Sequence, residues 1–226
     1  MKKVLYVLIV FLLVFIVYGC AFEKDSVRFE KEYEGYNGKQ ISDNLKYMEV
    51  DIDDENPIVY ATVDDIVELL KDGSGVIYFG YPECPWCRNA VPVLLDAAEE
   101  VGISKIYYMN MKDQRDELIV DDNGNIIAKD TGTADYKKLL TVLDEILDDY
   151  IIKDKDGNEY NTGEKRIYVP LVVFVKNGEI VGTHIDTVPS QTNPFVKLND
   201  EQEDELEKIY AHLMMKTIDS VCDSSC

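Results

Sequence analysis

Histidine and cysteine are scarce in this chain of 226 residues, which has two of the first and five of the second. A structural zinc site takes four nitrogen or sulfur ligands and usually announces itself by paired C-x-x-C spacings. One such spacing exists, Cys84-Pro85-Trp86-Cys87, and there is no second. Only His184, His212, Cys222 and Cys226 could complete a tetrahedron with it, so zinc stands as an alternative to a redox reading. Positive charge is also short: 23 Lys and Arg face 44 Asp and Glu, for a net charge of −21. A surface that acidic repels phosphate backbones, which argues against nucleic acid as a partner. It also repels anionic headgroups, so attachment to a membrane has to be hydrophobic or covalent. Solubility is the ordinary reason for an acidic surface, and cationic substrates are compatible with it. Long apolar runs are missing too. Residues 4–17 form an apolar stretch of fourteen, below the roughly 20 that a spanning helix needs. No internal repeat is found.

What is present begins with Met1-Lys2-Lys3 ahead of that apolar stretch, a basic n-region and an h-region as in export signals, over residues 1–19. Without Lys2 and Lys3 the net charge becomes −23. Val17-Tyr18-Gly19-Cys20 resembles the lipobox of bacterial lipoproteins, and the resemblance implies lipid attachment at Cys20 after cleavage. The alternative is a short uncleaved membrane anchor. Either one puts the rest of the chain on the extracytoplasmic face of the bacterial cell membrane. Residues 20–45 are polar, with charge clusters and with Gly35 and Gly38, and read as a lipid-anchored tether. The whole chain is 46% apolar and has 15 tyrosines, enough to bury a core without disulfides. Its length suits one domain, 46–217, with an insertion around 112–165, followed by a tail at 218–226.

Along that domain, Tyr47-Met48-Glu49-Val50 is a short candidate strand. Thr62 and Asp65 form a capping box, Val63, Ile66, Val67 and Leu70 recur at helical spacing, and Gly73 closes the helix. The apolar run at 76–81 predicts a buried strand. A helix from Cys84 buries Val91, Leu94, Leu95 and Ala98 and ends near Gly102, with Pro92 inside it. Ile106-Tyr107-Tyr108-Met109 predicts the next strand. Alternating strands and helices imply a parallel central pair with crossover helices, hence an α/β fold. Asn123-Gly124 predicts a hairpin turn between apolar flanks, and Asp156-Gly157 another. Between them, Tyr136, Leu139, Leu140, Leu143, Ile146, Leu147 and Tyr150 mark one face of an amphipathic helix. Residues 171–175 and 180–182 around Lys176-Asn177-Gly178-Glu179 predict an antiparallel hairpin. Asn199 and Gln202 cap a last helix that turns Leu206, Ile209, Tyr210 and Leu213 inward. His212, on that helix, is solvated or packed.

The Cys84-Pro85-Trp86-Cys87 motif follows an apolar strand and opens a helix. At a helix N-terminus a thiol faces unpaired N–H groups and the positive end of the dipole. Both favour the thiolate, the form that attacks disulfides. Cys87 lies one turn further in, close enough to resolve a mixed disulfide with Cys84. Cys222 and Cys226 make a second close pair, either a relay dithiol or a small disulfide.

On these residues the chain resembles the thioredoxin superfamily over about 60–110 and 165–217. The strand–CPWC–helix junction carries the likeness, with Pro92 five residues after Cys87, Val169-Pro170 just before a strand, and the hairpin around Asn177-Gly178. The resemblance implies a thioredoxin-like fold: a central mixed sheet flanked by helices, with an insertion before the cis-proline strand. It further implies that the bond at Pro170 is cis and that substrate chains pair with the backbone of Val169 by strand addition. Trp86 would be a rim aromatic or a packing residue. Two departures stand out. Thioredoxins carry a buried acid six residues before the first active cysteine, where this chain has Tyr78, so proton shuttling lacks its carboxylate. Glu83, beside Cys84, is a candidate to take part in its place, and otherwise reads as an exposed surface carboxylate. The Pro85-Trp86 dipeptide also differs from the Gly-Pro of reducing thioredoxins and is nearer the Pro-aromatic of glutaredoxins. Through its lipobox-like segment, CPWC and insertion the chain is similar as well to the thioredoxin-like accessory proteins encoded with bacteriocin exporters.

The expected function is therefore an extracytoplasmic, membrane-anchored thiol–disulfide oxidoreductase acting on protein substrates. It implies a membrane redox partner and no metal or diffusible cofactor. The alternative from another class is a non-enzymatic accessory lipoprotein that binds an export partner.

Overall fold

The computed structural model describes residues 23–218. It opens with helix α1 (Asp25–Glu34), in the stretch the sequence suggests is a tether. Asp25 in the first turn and Lys31 in the last oppose the helix dipole favourably. Phe29 and Tyr33, four residues apart, are both fully buried. The tether reading fails because those two side chains are enough to dock an otherwise charged helix into the core. Asp25 Oδ2 also accepts from the Tyr60 N–H at 2.9 Å, and Glu34 Oε1 from the Ile52 N–H at 2.9 Å.

A small antiparallel pair, β1 (Gln40–Ser42) and β2 (Leu45–Lys46), follows. Residues 47–50 are not the expected strand. Tyr47 bonds the backbone of Lys39 and Gly38, and beyond it side chains take over: Asn37 bonds both the N–H and the carbonyl of Val50, and Arg88 Nε donates to the Met48 carbonyl. The edge strand is β3 (Ile58–Tyr60), which leads to α2 (Val63–Asp72) with the predicted Thr62–Asp65 capping box. Then come β4 (Gly75–Gly80), α3 (Pro85–Val101) and β5 (Ile106–Asn110). Gly102, at φ 79°, ends α3 in the left-handed conformation that glycine adopts freely.

The segment after β5 holds hairpin β6 (Asp116–Val120) and β7 (Ile126–Thr131), helix α4 (Ala134–Val142), and hairpin β8 (Asp148–Lys153) and β9 (Glu159–Arg166). Both predicted turns are present, but the long helix is not. It stops at Val142, and Tyr150 lies on β8, where it alternates with Ile152 toward the interior. Tyr150 stands three residues after Leu147, a helical spacing, and two before Ile152, a strand spacing. Asp144, Glu145, Asp148 and Asp149 would sit at the negative end of a longer helix, which disfavours it. The two hairpins are joined by a buried Arg166–Asp116 ion pair at 3.1 Å, with the Arg166 guanidinium 4.0 Å over the Tyr150 ring.

The chain returns through β10 (Leu171–Lys176) and β11 (Glu179–Ile185) and ends in α5 (Asp200–Met215), capped by Asn199 and Gln202. The main sheet has the order β11-β10-β4-β5-β3. β3, β5 and β4 are parallel, while β10 runs antiparallel to β4 and to β11. This is a mixed α/β architecture with a five-stranded mixed sheet and five helices. Tyr60, Tyr108 and Tyr78 stand in register across β3, β5 and β4. Their rings lie 5.1 and 5.4 Å apart, and Phe29 of α1 packs edge-on against Tyr108 at 4.8 Å. Among the described residues no helix is long and apolar enough to cross a membrane.

Candidate active site

β4 delivers the chain to a short turn, and α3 starts with Cys84 as its N-cap and Pro85 in the first turn, where the missing N–H costs nothing. The Cys84 sulfur accepts from the Cys87 N–H at 3.2 Å, taking the capping role that a serine or aspartate oxygen often fills. On its other side it lies 3.7 Å from the Val169 carbonyl oxygen, to which its S–H donates. The Val169–Pro170 peptide bond is cis. The two cysteines and the Val169-Pro170 step, 85 residues apart in sequence, thus meet at one point. Cys84 is 4% exposed and Cys87 is fully buried, both as free thiols.

The two sulfurs differ electrostatically. The hydrogen bond from Cys87 holds the Cys84 thiol below its ordinary value against the opposing effect of burial. The N–H groups of Cys87 and Trp86 and the charge of Arg115 help. Burial pushes Cys87 well above its ordinary value, and the hydrogen bond to Cys84 adds to that. One thiol is poised to be a thiolate and the other to hold its proton. Trp86 is half-buried and packs on the core, and Val169 is nearly buried.

Glu83 is not the exposed carboxylate that its sequence suggests. Its side chain is 12% exposed, pairs with Lys112, and accepts from the Tyr36 hydroxyl at 2.5 Å. Burial works against its charge, but the Lys112 and Tyr36 hydrogen bonds prevail and hold it below the ordinary carboxylate range.

Several residues around the dithiol escape sequence reasoning. Arg88, directly after Cys87, is fully buried and donates to the carbonyls of Met48 (2.8 Å), Tyr33 (2.8 Å) and Pro82 (3.1 Å) and to the Asn37 side chain. It ties α1 and the segment after it to α3. Arg115, from the loop after β5, donates to the Tyr81 hydroxyl at 3.2 Å and lies over the Tyr81 ring. Tyr33 of α1 shares a buried 2.7 Å hydrogen bond with Tyr78 of β4. The only signal for α1 was the four-residue spacing of Phe29 and Tyr33. Asn89 fixes a loop beside α3, bonding the Pro194 carbonyl and the Leu198 N–H.

The zinc alternative finds its histidines elsewhere. His184 bonds the Thr187 carbonyl at 2.7 Å and meets the Tyr210 ring edge-on, and His212 is exposed. Among the described residues, no three His, Cys, Asp or Glu side chains converge to hold a metal. Cys20, Cys222 and Cys226 lie outside the described residues. No protein-family model matches this chain, and no curated protein matches it.

Proposed function

We propose that the chain is a thiol–disulfide oxidoreductase with a thioredoxin-like fold, acting on protein substrates outside the cytoplasm and held to the membrane by its N-terminal segment. One observation carries this reading: the Cys84 sulfur caps α3, rests on the Cys87 N–H, and faces the backbone just before Pro170. The strand order, with the dithiol at the end of β4 and Pro170 opening β10, supports the fold assignment.

The Cys84 thiolate attacks one sulfur of a substrate disulfide. A Cys84–substrate disulfide forms, and the other substrate sulfur leaves as a thiolate that takes a proton. Cys87 then loses its proton and attacks the Cys84 sulfur. The mixed disulfide breaks, the second substrate sulfur leaves and is protonated, and the Cys84–Cys87 disulfide remains. Two electrons and two protons pass to the substrate. Run backwards, the same exchanges oxidise a substrate dithiol, and a membrane redox partner resets the pair. Val169 supplies backbone beside Cys84 against which a substrate strand can align. The Gly19-Cys20 step and the basic, apolar start of the chain support lipid attachment at Cys20 on the extracytoplasmic side.

The test uses the full chain in detergent with Cys20, Cys222 and Cys226 changed to serine. The Cys84–Cys87 pair is equilibrated against glutathione buffers, and single-cysteine variants are used to trap substrates. Cys87→Ser should accumulate mixed disulfides and Cys84→Ser should not. A potential near about −270 mV makes the pair a reductant; one near about −120 to −180 mV makes it an oxidase or isomerase. A pair that never cycles between dithiol and disulfide overturns the enzyme reading in favour of a binding accessory.

A further inference from the structure

The chain has four arginines, and three of them are fully engaged. Arg28 pairs with Glu32 and Arg166 with Asp116, while Arg88 serves three carbonyls and the Asn37 side chain. Arg115 is half-buried and, among the described residues, has no carboxylate partner. Its Nη2 donates to the Tyr81 hydroxyl at 3.2 Å, and its guanidinium lies 5.2 Å from the centre of the Tyr81 ring. Its Nε is buried without an acceptor, and Nη1, which is not buried, bonds nothing among the described residues. A buried donor left without a partner is costly. In a chain with 44 Asp and Glu, a guanidinium that pairs with none of them is set apart for an anion from elsewhere.

Two sets of contacts place Arg115 beside the dithiol. Tyr81 stands three residues before Cys84, and its carbonyl accepts from the Cys84 N–H at 3.1 Å. On the other side, Asp116 follows Arg115 directly. The carbonyl and the carboxylate of Asp116 accept from Arg166 Nη1 at 3.0 and 3.1 Å, and Arg166 stands three residues before Val169. Cys84 and Val169 are the residues that meet at 3.7 Å. Arg115 is thus held between the segments that bring the reactive sulfur and the substrate-aligning backbone together. Thr133 steadies the approach, since its N–H bonds the Gln114 carbonyl at 3.0 Å and its hydroxyl the Gln114 side chain at 2.7 Å. In keeping with that place, the Arg115 charge helps to hold the Cys84 thiol down.

We propose that Arg115 is a substrate-recognition residue, binding the carboxylate of an Asp or Glu side chain that flanks the reactive cysteine of the substrate protein. The proposal rests on the oxidoreductase reading above and names a substrate class for it. The acidic surface as a whole repels such a substrate. A guanidinium with no counter-ion supplies positive charge where the exchange takes place, and its planar fork suits a carboxylate. Lys112, three residues earlier, is already committed to Glu83. No covalent step is added: the carboxylate binds before Cys84 attacks and leaves with the product.

The experiment presents the reduced full chain, in detergent and with Cys20, Cys222 and Cys226 changed to serine, with matched peptides whose single cysteine is capped as a thiopyridyl disulfide. Glu or Gln stands beside that cysteine, on one side or the other. Cys84 attacks the peptide sulfur, a Cys84–peptide disulfide forms, and the pyridinethiolate leaves, takes a proton and is read by its absorbance. The readout is the ratio of the Glu to the Gln rate constant, because a change in Cys84 ionisation alters both alike and cancels. In the wild type the ratio should exceed one for at least one placement, against the direction that the net charge sets. Arg115→Gln should lower it on the order of fivefold, and Arg115→Lys, which keeps the charge without the fork, by less. Should Arg115→Gln not fold, the fall with Arg115→Lys decides. A wild-type ratio at or below one in both placements overturns the proposal with no variant needed. A ratio that the substitution leaves unchanged overturns it as well, and makes Arg115 a residue that acts on Cys84 alone; the oxidoreductase reading survives either result. A wild-type protein that reacts with none of the peptides overturns both.

Discussion

Arg88 and Tyr33 are joined inside the protein: the Arg88 Nη1 donates to the Tyr33 carbonyl oxygen at 2.8 Å, with neither side chain exposed. Arg88 also serves the carbonyls of Met48 and Pro82. Removing the guanidinium takes a donor from three carbonyls and from the Asn37 side chain in the interior. Arg88→Leu should therefore cost on the order of 3 kcal/mol or more. Chemical denaturation would measure this, and hydrogen exchange should rise over residues 25–34 before it rises in β4. Equal protection of α1 in variant and wild type would contradict it.

The depressed Cys84 thiol gives a graded prediction. Its largest support is the hydrogen bond from Cys87, and Arg115 contributes less. The pH at which Cys84 becomes half-reactive toward iodoacetamide should lie below that of an ordinary thiol. It should rise with Arg115→Gln, by less than about one unit, and rise further with Cys87→Ala. The reverse ranking would show that the charge, not the neighbouring thiol, governs the site.

Glycine at position 80 is required by the ring two residues before it. A methyl group there would overlap the Tyr78 hydroxyl. Gly80→Ala should destabilise the protein by about 1–3 kcal/mol. Most of that loss should disappear when Gly80→Ala is made in a Tyr78→Leu background, because the clash is with the tip of the Tyr78 ring, two of its carbons as well as the hydroxyl. Additive losses in the double-mutant cycle would disprove the coupling.

Glu83 predicts an acid limb. Its carboxyl is held below the ordinary 4.5 in the folded protein. A depressed folded value stabilises the protein above the unfolded value, and the contribution fades as pH falls through the folded one. The stability gap between wild type and Glu83→Gln should thus be full above about pH 4.5 and close below it. A gap that stays constant across that range would remove the Lys112 and Tyr36 hydrogen bonds as its cause.

Legibility in the sequence followed how local each determinant was. β4 and β10 are apolar runs, both capping boxes carry their own partners within three residues, and Asn123-Gly124 marks its turn; all were readable. So was the pairing of Cys84 with Cys87, which lie one helical turn apart. β3 has three residues and α1 buries little besides Phe29 and Tyr33, so neither rises above the charged background of its neighbours. In the insertion, Tyr150 satisfied both a helical and a strand period, and the acidic residues before it decided the outcome. The rest of the site was hidden by distance. Tyr33, Tyr36 and Arg115 bond Tyr78, Glu83 and Tyr81 from segments that give no sign, residue by residue, of meeting them.

The docking of α1 also bears on how the protein can be shortened. A polar stretch behind an apolar run of sequence invites trimming, and residue 46 would be the natural place to cut. Such a cut would remove Phe29 from its contact with Tyr108, strip Arg88 of its Tyr33 and Asn37 acceptors, and take the second hydroxyl from Tyr78. A fragment beginning at residue 23 keeps all of them. The difference between the two fragments is the support that α1 gives the core around Cys84 and Cys87, so a short version that folds poorly would be reporting its missing first helix and not a property of the two thiols.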